Sequence, residues 1–390
     1  MDLTLKKLLH HIDYSLLVTM SLLIGFGLIM VYSAGSVWAR IFFSTPQPAS
    51  YFFVHQLRWA ALAVPVGIVG MVVPYKAYRK VVKPMILLSF FLLLLLYALG
   101  STVNNAQSWL RLGSFNLQPA ELVKITVILY LASVFSNKQN MIADFKTSVA
   151  PPLIVIMIFF FMIAKQPDFG TAMILMMIST VMVLCAGLRT KHLLFLGSLS
   201  AVAVIGVYHF ALSGNQLGRF TAAYDPFSVA DKTGRQLINS YIAIASGGLT
   251  GRGLGQSIEK TGFLPEPQTD FIISIIGEEL GLLGILFVVL CIAYLVFKGF
   301  VIAIRCKDVF GSLLAIGISS MLAIQTFVNL GAATGLLPIT GVTLPFVSYG
   351  GSSLITMVFS ICVLMNISGF VNLKRSSQIE GKRENVKAKN

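Results

Sequence analysis

The sequence predicts an all-α polytopic membrane protein of about ten transmembrane helices, and three observations predict it. Of 390 residues, 56% are hydrophobic and only 11% are charged, against roughly 25% charged in a water-soluble domain, and mean hydropathy is +0.84. Apolar runs of about 15 to 25 residues recur from Ser15 to the neighbourhood of Phe370. These runs are continuous, as in 84–100, whereas membrane β-barrel strands alternate over segments of about ten residues.

With a rise of about 1.5 Å per residue and about 30 Å of hydrocarbon to cross, spans are expected near 15–34, 53–73, 84–100, 119–136, 148–165, 170–188, 193–213, 270–297, 310–336 and 351–372. The first follows Lys6, Lys7, His10 and His11 and lacks a small-residue cleavage site, so it reads as a retained helix and not a signal peptide. Pro119 suits the first turn of the fourth span. The connection Lys165–Gly170 between spans five and six is so short that part of it is expected inside the protein. A large loop, 214–269, joins spans seven and eight, and Thr269 is a good N-cap for the eighth. Within that loop Gln236–Ala245 reads as an amphipathic helix, followed by the Gly-rich stretch Gly247–Gly253. That stretch is either a flexible turn or a backbone cradle for phosphate, and it matches no P-loop or dinucleotide fingerprint. Residues 1–373 thus form one integral membrane domain, and 374–390 form a basic tail expected to be disordered near anionic lipid.

The net charge of +14 would suggest nucleic acid in a soluble chain, but here its distribution orients the spans. Alternate loops hold Lys6 and Lys7; Lys76, Arg79, Lys80 and Lys83; Lys138 and Lys146; Arg189 and Lys191; Lys298, Arg305 and Lys307; and the tail. These hold 19 of the 29 basic residues, which makes that side cytoplasmic, both termini included, and the loop 214–269 extracytoplasmic. Cys185, Cys291, Cys306 and Cys362 show no disulfide or metal-ligand spacing. His10, His11, His55, His192 and His209 assemble no zinc or Ser-His-Asp constellation.

Carboxylates near a bilayer are costly, about 2.5 to 3.5 kcal/mol each at a helix centre, so each needs a reason. Topology brings Glu121, Asp168 and Asp270 to the outer mouth from distant parts of the chain. Glu121 has Lys124 one turn on as an ion partner; capping a helix, or pairing with Lys124 and Lys165, is the competing role for Glu121 and Asp168. Glu278 and Glu279 lie about 12 to 14 Å deeper than Asp270 along their helix and are expected to tie helices together in a buried network. Trp109–Gly113 and the uncharged run Pro338–Gly351, with Ser348, Tyr349 and Ser352, fit a large amphiphilic ligand, though Trp109 also suits a membrane-interface belt.

Several blocks together resemble the shape, elongation, division and sporulation (SEDS) family. They are Gly27–Ala34, Trp109–Gly113 with Gln118–Leu122, Lys165–Thr171, Ser246–Leu249, Leu264–Phe271, Ile276–Gly281 and Gly335–Ser353. The Met30–Ser33 and Leu264–Pro267 stretches look closer to its division branch, FtsW, than to its elongation branch, RodA. The resemblance implies a peptidoglycan glycosyltransferase that polymerises lipid II at the outer face of the bacterial cytoplasmic membrane. It further implies a class B penicillin-binding protein as partner among divisome or elongasome proteins, at the septum in preference to the lateral wall. Asp270 matches the family's essential aspartate and is the candidate base. Candidate substrate-binding residues are Trp109, Arg111, Glu121, Lys124, Lys165, Asp168, Arg219, Gln268, Thr269, Ser348, Tyr349 and Ser352. Positive charge for a departing pyrophosphate is expected from Arg219, Lys124, Arg111 or a divalent cation, Mg or Mn. Gln268 stands where the family usually has His, and Asn105 where it often has Gly. A lipid II flippase is the alternative function, and a scaffold that only recruits a partner is a third.

Overall fold

The computed structural model describes residues 3–43, 45–103, 106–112, 115–141, 144–188, 214–230 and 234–387. Its helices are α1 (Leu3–His10), α2 (Tyr14–Ile41), α3 (Tyr51–Val72), α4 (Tyr78–Leu99), α5 (Pro119–Asn137), α6 (Phe145–Ser148), α7 (Ala150–Ala164), α8 (Phe169–Cys185), α9 (Gly214–Tyr224), α10 (Gly234–Gly247), α11 (Ile272–Arg305), α12 (Val309–Ala333) and α13 (Gly351–Lys387). Among the described residues seven helices are long and apolar enough to cross a membrane: α2, α3, α4 with the turn before it, α5, α11, α12 and the first 26 residues of α13. The shorter apolar helices α7 and α8, of 15 and 17 residues, fill the fifth and sixth predicted positions. The segment expected as the seventh span, 193–213, lies outside the described residues.

Burial sorts these helices into a centre and a wall. The most apolar windows of α5, α12 and α13 are 72%, 72% and 78% buried in protein, against 22–33% for α2, α3, α4 and α11, whose outer faces are apolar and exposed. Small residues permit the close approach, as a Cβ at Gly67 or Gly70 of α3 would meet Val358, Phe359 or Cys362 of α13. Carboxylates close the open N-termini: Asp13, Asp168 and Asp308 accept from Ser15, Thr171 and Gly311 backbone N–H at 3.2, 3.2 and 3.1 Å. One end of the bundle is pinned by Lys298 Nζ to Asp13 Oδ2 at 2.8 Å and by Arg79 to Asp308 at 3.5 Å. Asn372 donates to the His11 carbonyl there, so α1 and the end of the apolar part of α13 share that end.

Three departures from the sequence reading have local causes. A small antiparallel sheet, β1 (Ser101–Val103), β2 (Ala106–Leu112) and β3 (Phe115–Leu117), lies between α4 and α5, the one sheet among the described residues. It forms because β2 alternates, with Ser108 and Leu110 buried and Arg111 exposed. The backbone of α13 continues as helix through the basic segment to Lys387, where composition had suggested disorder; Lys, Arg, Glu and Gln all sustain a helix already nucleated by an apolar span.

The third departure is a break in α11. Gly281 has φ +67° and ψ −161°, which interrupts the helix between Leu280 and Leu282. Residues 247–253 do turn, with Gly248, Gly251 and Gly253 at positive φ, and the turn fills the gap. Arg252 and Gly253 N–H donate to the Glu278 and Glu279 carbonyls at 2.9 Å each, while Leu282 and Leu283 N–H donate to the Gly248 and Leu249 carbonyls at 3.0 and 3.3 Å. Two carbonyls and two N–H groups at the break thus find partners in the loop, as irregular backbone at membrane depth requires. A Cβ at Gly281 would lie 2.4 Å from the Gly251 nitrogen, so the clip closes only on glycine.

Candidate active site

The uncharged segment 338–353, between α12 and α13, is the hub on which the predicted site residues converge. It is irregular, with Gly341 at φ +70° and Phe346 at φ +66°, and side chains satisfy several of its backbone groups. Ser348 Oγ accepts from Leu344 N–H at 2.9 Å. Gln56 of α3, 2% exposed, donates to the Ser348 carbonyl and accepts from Gly350 N–H, both at 3.2 Å. The Tyr349 ring stands edge-on to Phe52 at 5.0 Å between centroids.

Asp270 reaches the hub through its backbone. Its carbonyl accepts from Asn329 Nδ2 of α12 at 2.8 Å, and the same nitrogen donates to the Val342 carbonyl at 2.7 Å. Two residues earlier, the Gln268 carbonyl accepts from Tyr349 N–H at 2.9 Å, while the Gln268 side chain is 2% exposed with Oε1 unpartnered. Thr269 is not the N-cap expected of it, because α11 starts at Ile272; its hydroxyl bridges the Glu266 carbonyl at 2.8 Å and Asp270 Oδ1 at 3.1 Å. Asp270 as a residue is half-buried, and its carboxyl is closely surrounded by protein atoms. That desolvation, reinforced by the negative charge of Glu266, pushes its pKa up to about 6, against the opposing pull of Thr269 and of Arg219 on α9.

The second arm is a buried ion pair. Lys124 Nζ donates to Glu121 Oε1 at 2.9 Å, one turn back on α5, and to Gln325 Oε1 of α12 at 2.7 Å. Gln325 in turn donates to the Thr343 carbonyl at 3.1 Å and to Ser353 Oγ at 3.2 Å. Lys124 is 1% exposed, so its ammonium holds the hub and does not face an open mouth. Glu121 Oε2 is buried without a partner.

The third arm is Asp168. It caps α8 and accepts from Gln118 Nε2 at 3.0 Å, while Gln118 N–H donates to Ser352 Oγ at 2.9 Å at the start of α13. Ser352 then donates to the Asn116 carbonyl at 3.2 Å, joining the sheet to the hub. Trp109 is half-buried in β2, and Arg111 and Lys165 are exposed, Arg111 opposite Asn116 in the sheet.

Glu278 and Glu279 lie outside these arms, in a buried cluster of their own. Glu279, 0% exposed, accepts from Lys260 Nζ at 2.6 Å and from Ser33 Oγ of α2 at 2.7 Å. Glu278 accepts from Ser257 Oγ at 2.5 Å and from Ile258 N–H at 2.9 Å, with the Arg252 guanidinium 3.7 Å away.

The structure therefore joins Glu121, Asp168 and Asp270 to one segment at one end of the bundle, each through its own partner and none through another carboxylate. Sequence reasoning gave no role to Gln118, Gln325 and Asn329, which carry these links, or to Gln56, which ties α3 to the same segment. For Gln56, Gln325 and Asn329 a signal was available, since a carboxamide inside an apolar helix must find a partner. Among the described residues no group of three His, Cys, Asp or Glu side chains could hold a metal, and Asp168 and Glu121 are each engaged by a protein donor.

Comparison with known proteins agrees with this architecture. The chain is 47% identical to the probable peptidoglycan glycosyltransferase FtsW of Bacillus subtilis, over 96% of this chain and 94% of that protein. It is 40% identical to stage V sporulation protein E of the same organism, over 92% and 97%. Two solved structures share the fold at 24% identity, each aligned over 92% of this chain and 97% or 96% of the other. One was reported for "structural coordination of polymerization and crosslinking by a peptidoglycan synthase complex", with TM-score 0.75, and the other is the rod shape determining protein RodA of Thermus thermophilus, with TM-score 0.67. The family model described as "Cell cycle protein" (FtsW, RodA, SpoVE) matches residues 14–373, and with that extent of agreement the chain belongs to this family.

Proposed function

We propose that the protein is a peptidoglycan glycosyltransferase that polymerises lipid II at the outer face of the bacterial cytoplasmic membrane. It works in division, beside a class B penicillin-binding protein. The observation that carries the chemistry is the Asp270 carboxyl, fixed through its backbone by Asn329 and with a pKa raised to about 6. Such a group is ionised at neutral pH yet basic enough to accept a proton in the transition state. The acceptor sugar's 4-hydroxyl oxygen attacks the anomeric carbon of the donor, its proton passes to Asp270, and the bond to the pyrophosphate oxygen breaks. A single displacement of this kind inverts the α-linked donor to a β-1,4 linkage. Arg219, whose charge already acts on Asp270, stabilises the negative charge developing on the pyrophosphate. Lys124 and Glu121 brace the hub, and Arg111 stands at the exposed rim.

The outward orientation rests on the basic loops at the end that holds Asp13 and Lys298. Division is favoured by the FtsW relatives, and a crosslinking partner by the synthase complex that shares the fold. The test supplies labelled lipid II to sealed liposomes containing the protein, with and without a class B penicillin-binding protein. Glycan chains support the transferase; label crossing the bilayer with no chains under any condition would replace it with a flippase.

A further inference from the structure

The pair α2 and α11 measures the bilayer. Near one end Lys298 Nζ binds Asp13 Oδ2 at 2.8 Å; near the other Ser33 Oγ binds Glu279 Oε1 at 2.7 Å. The pins lie about 20 residues apart along α2, hence about 30 Å at the helical rise, the thickness of the hydrocarbon core. Neither helix carries a charged residue between its pins. Ser33 and Glu279 therefore mark one boundary of the hydrocarbon.

The loop that fills the α11 break is fixed at that boundary and is built inside out. Leu249, Leu254 and Ile258 are 70%, 54% and 51% exposed, whereas Ser257, Glu259 and Lys260 between and beside them are 4%, 7% and 5% exposed. Each apolar side chain is tied within one residue to the boundary level: the Leu249 carbonyl to Leu283 N–H, Gly253 N–H to the Glu279 carbonyl, and Ile258 N–H to Glu278 Oε1. Leu283, Leu286 and Leu290 continue below as the exposed stripe of α11. Thr250, Arg252 and Gln256 are exposed beside them, so the stretch presents three large apolar side chains and a few polar ones outward while its ion-paired groups lie inside, a mixture that suits the lipid boundary.

We propose that residues 248–258 form a membrane-seated clip, in which Leu249, Leu254 and Ile258 enter the acyl boundary of the leaflet at the Glu279 end. The occupant is lipid because the patch continues a lipid-facing stripe at a depth set by two independent ion-pair and hydrogen-bond pins. The inference does not depend on the chemistry proposed above.

The test places a nitroxide at Leu249→Cys, Leu254→Cys or Ile258→Cys in the full chain. The four native cysteines are replaced by Ala, and the protein sits in phosphatidylglycerol–phosphatidylethanolamine liposomes. Leu290→Cys serves as the lipid-facing reference and Ser228→Cys, polar and exposed in the 214–269 segment, as the aqueous one. The expected result is oxygen accessibility like that at residue 290 and loss of the nickel-chelate accessibility seen at residue 228. Nickel access equal to that at residue 228 would place the loop in water. Exclusion of both reagents would mean a protein covers it, and either outcome overturns the proposal. If the cysteine-free background does not fold, Leu249→Trp in the native chain gives a second reading: emission quenched by brominated lipid beyond that of the wild type is expected, and no added quenching contradicts it.

Discussion

Asn329 donates from one side-chain nitrogen to two backbone carbonyls, Asp270 at 2.8 Å and Val342 at 2.7 Å, and so fixes the candidate base to the hub from a helix 59 positions away in sequence. Asn329→Ala leaves both buried carbonyls without this donor, at a cost of about 1 to 3 kcal/mol for an unsatisfied group. Turnover per folded molecule is expected to fall as well, because the Asp270 backbone loses its anchor. Thermal unfolding in detergent and initial polymerisation rates measure the two effects; lost stability with full turnover would reduce Asn329 to a packing residue.

The pH profile should report the Asp270 carboxyl. A base must be ionised to accept a proton, so activity should rise with pH, with its acidic limb near the value of about 6 that burial and Glu266 impose. Glu266→Gln removes a neighbouring negative charge and should move that limb to lower pH. Arg219→Gln removes the favourable positive charge and should move it to higher pH. Limbs that stay in place in both variants would show that another group controls the profile.

Glu279 is the counter-ion of a lysine with almost no access to water. Glu279→Gln leaves the Lys260 ammonium, 2.6 Å away in the native pair, buried beside a neutral amide. Removing one member of a buried pair costs about 3 to 5 kcal/mol. The melting temperature should drop, and Lys260→Met added to Glu279→Gln should recover part of the loss. A single variant that melts like the wild type would mean water reaches the pair.

The break in α11 depends on glycine. At φ +67°, with backbone 2.4 Å from where a Cβ would stand, Gly281→Ala should open the clip and destabilise the fold by at least about 1 to 3 kcal/mol, the usual cost of a strained backbone. Limited proteolysis should then cut within 248–258 faster than in the wild type. Equal cleavage rates would show that the clip tolerates a side chain.

How much of this was legible depended on the distance over which each feature is encoded. Nine predicted spans appear as helices because a continuous apolar run states its own structure, and the Glu121–Lys124 pair was legible because its members lie one turn apart. Asp270 stood out as a carboxylate beside a span, but its anchors, Asn329 and Tyr349, are far along the chain, and nothing local names them. The short sheet carried its alternation over too few residues to register among long apolar runs. The Gly281 break was hidden for another reason: glycine is common in membrane helices, and only the docking of the 248–253 backbone makes this one a discontinuity.

The most direct test of the account compares lipid II polymerisation by the wild type and by Asp270→Asn, reconstituted with a class B penicillin-binding protein and matched for melting temperature. The substitution preserves shape and removes basicity, so the account predicts an intact fold and a loss of about 10²- to 10⁴-fold in turnover, the range a general base supplies. Glycan chains made by Asp270→Asn at the wild-type rate would contradict it.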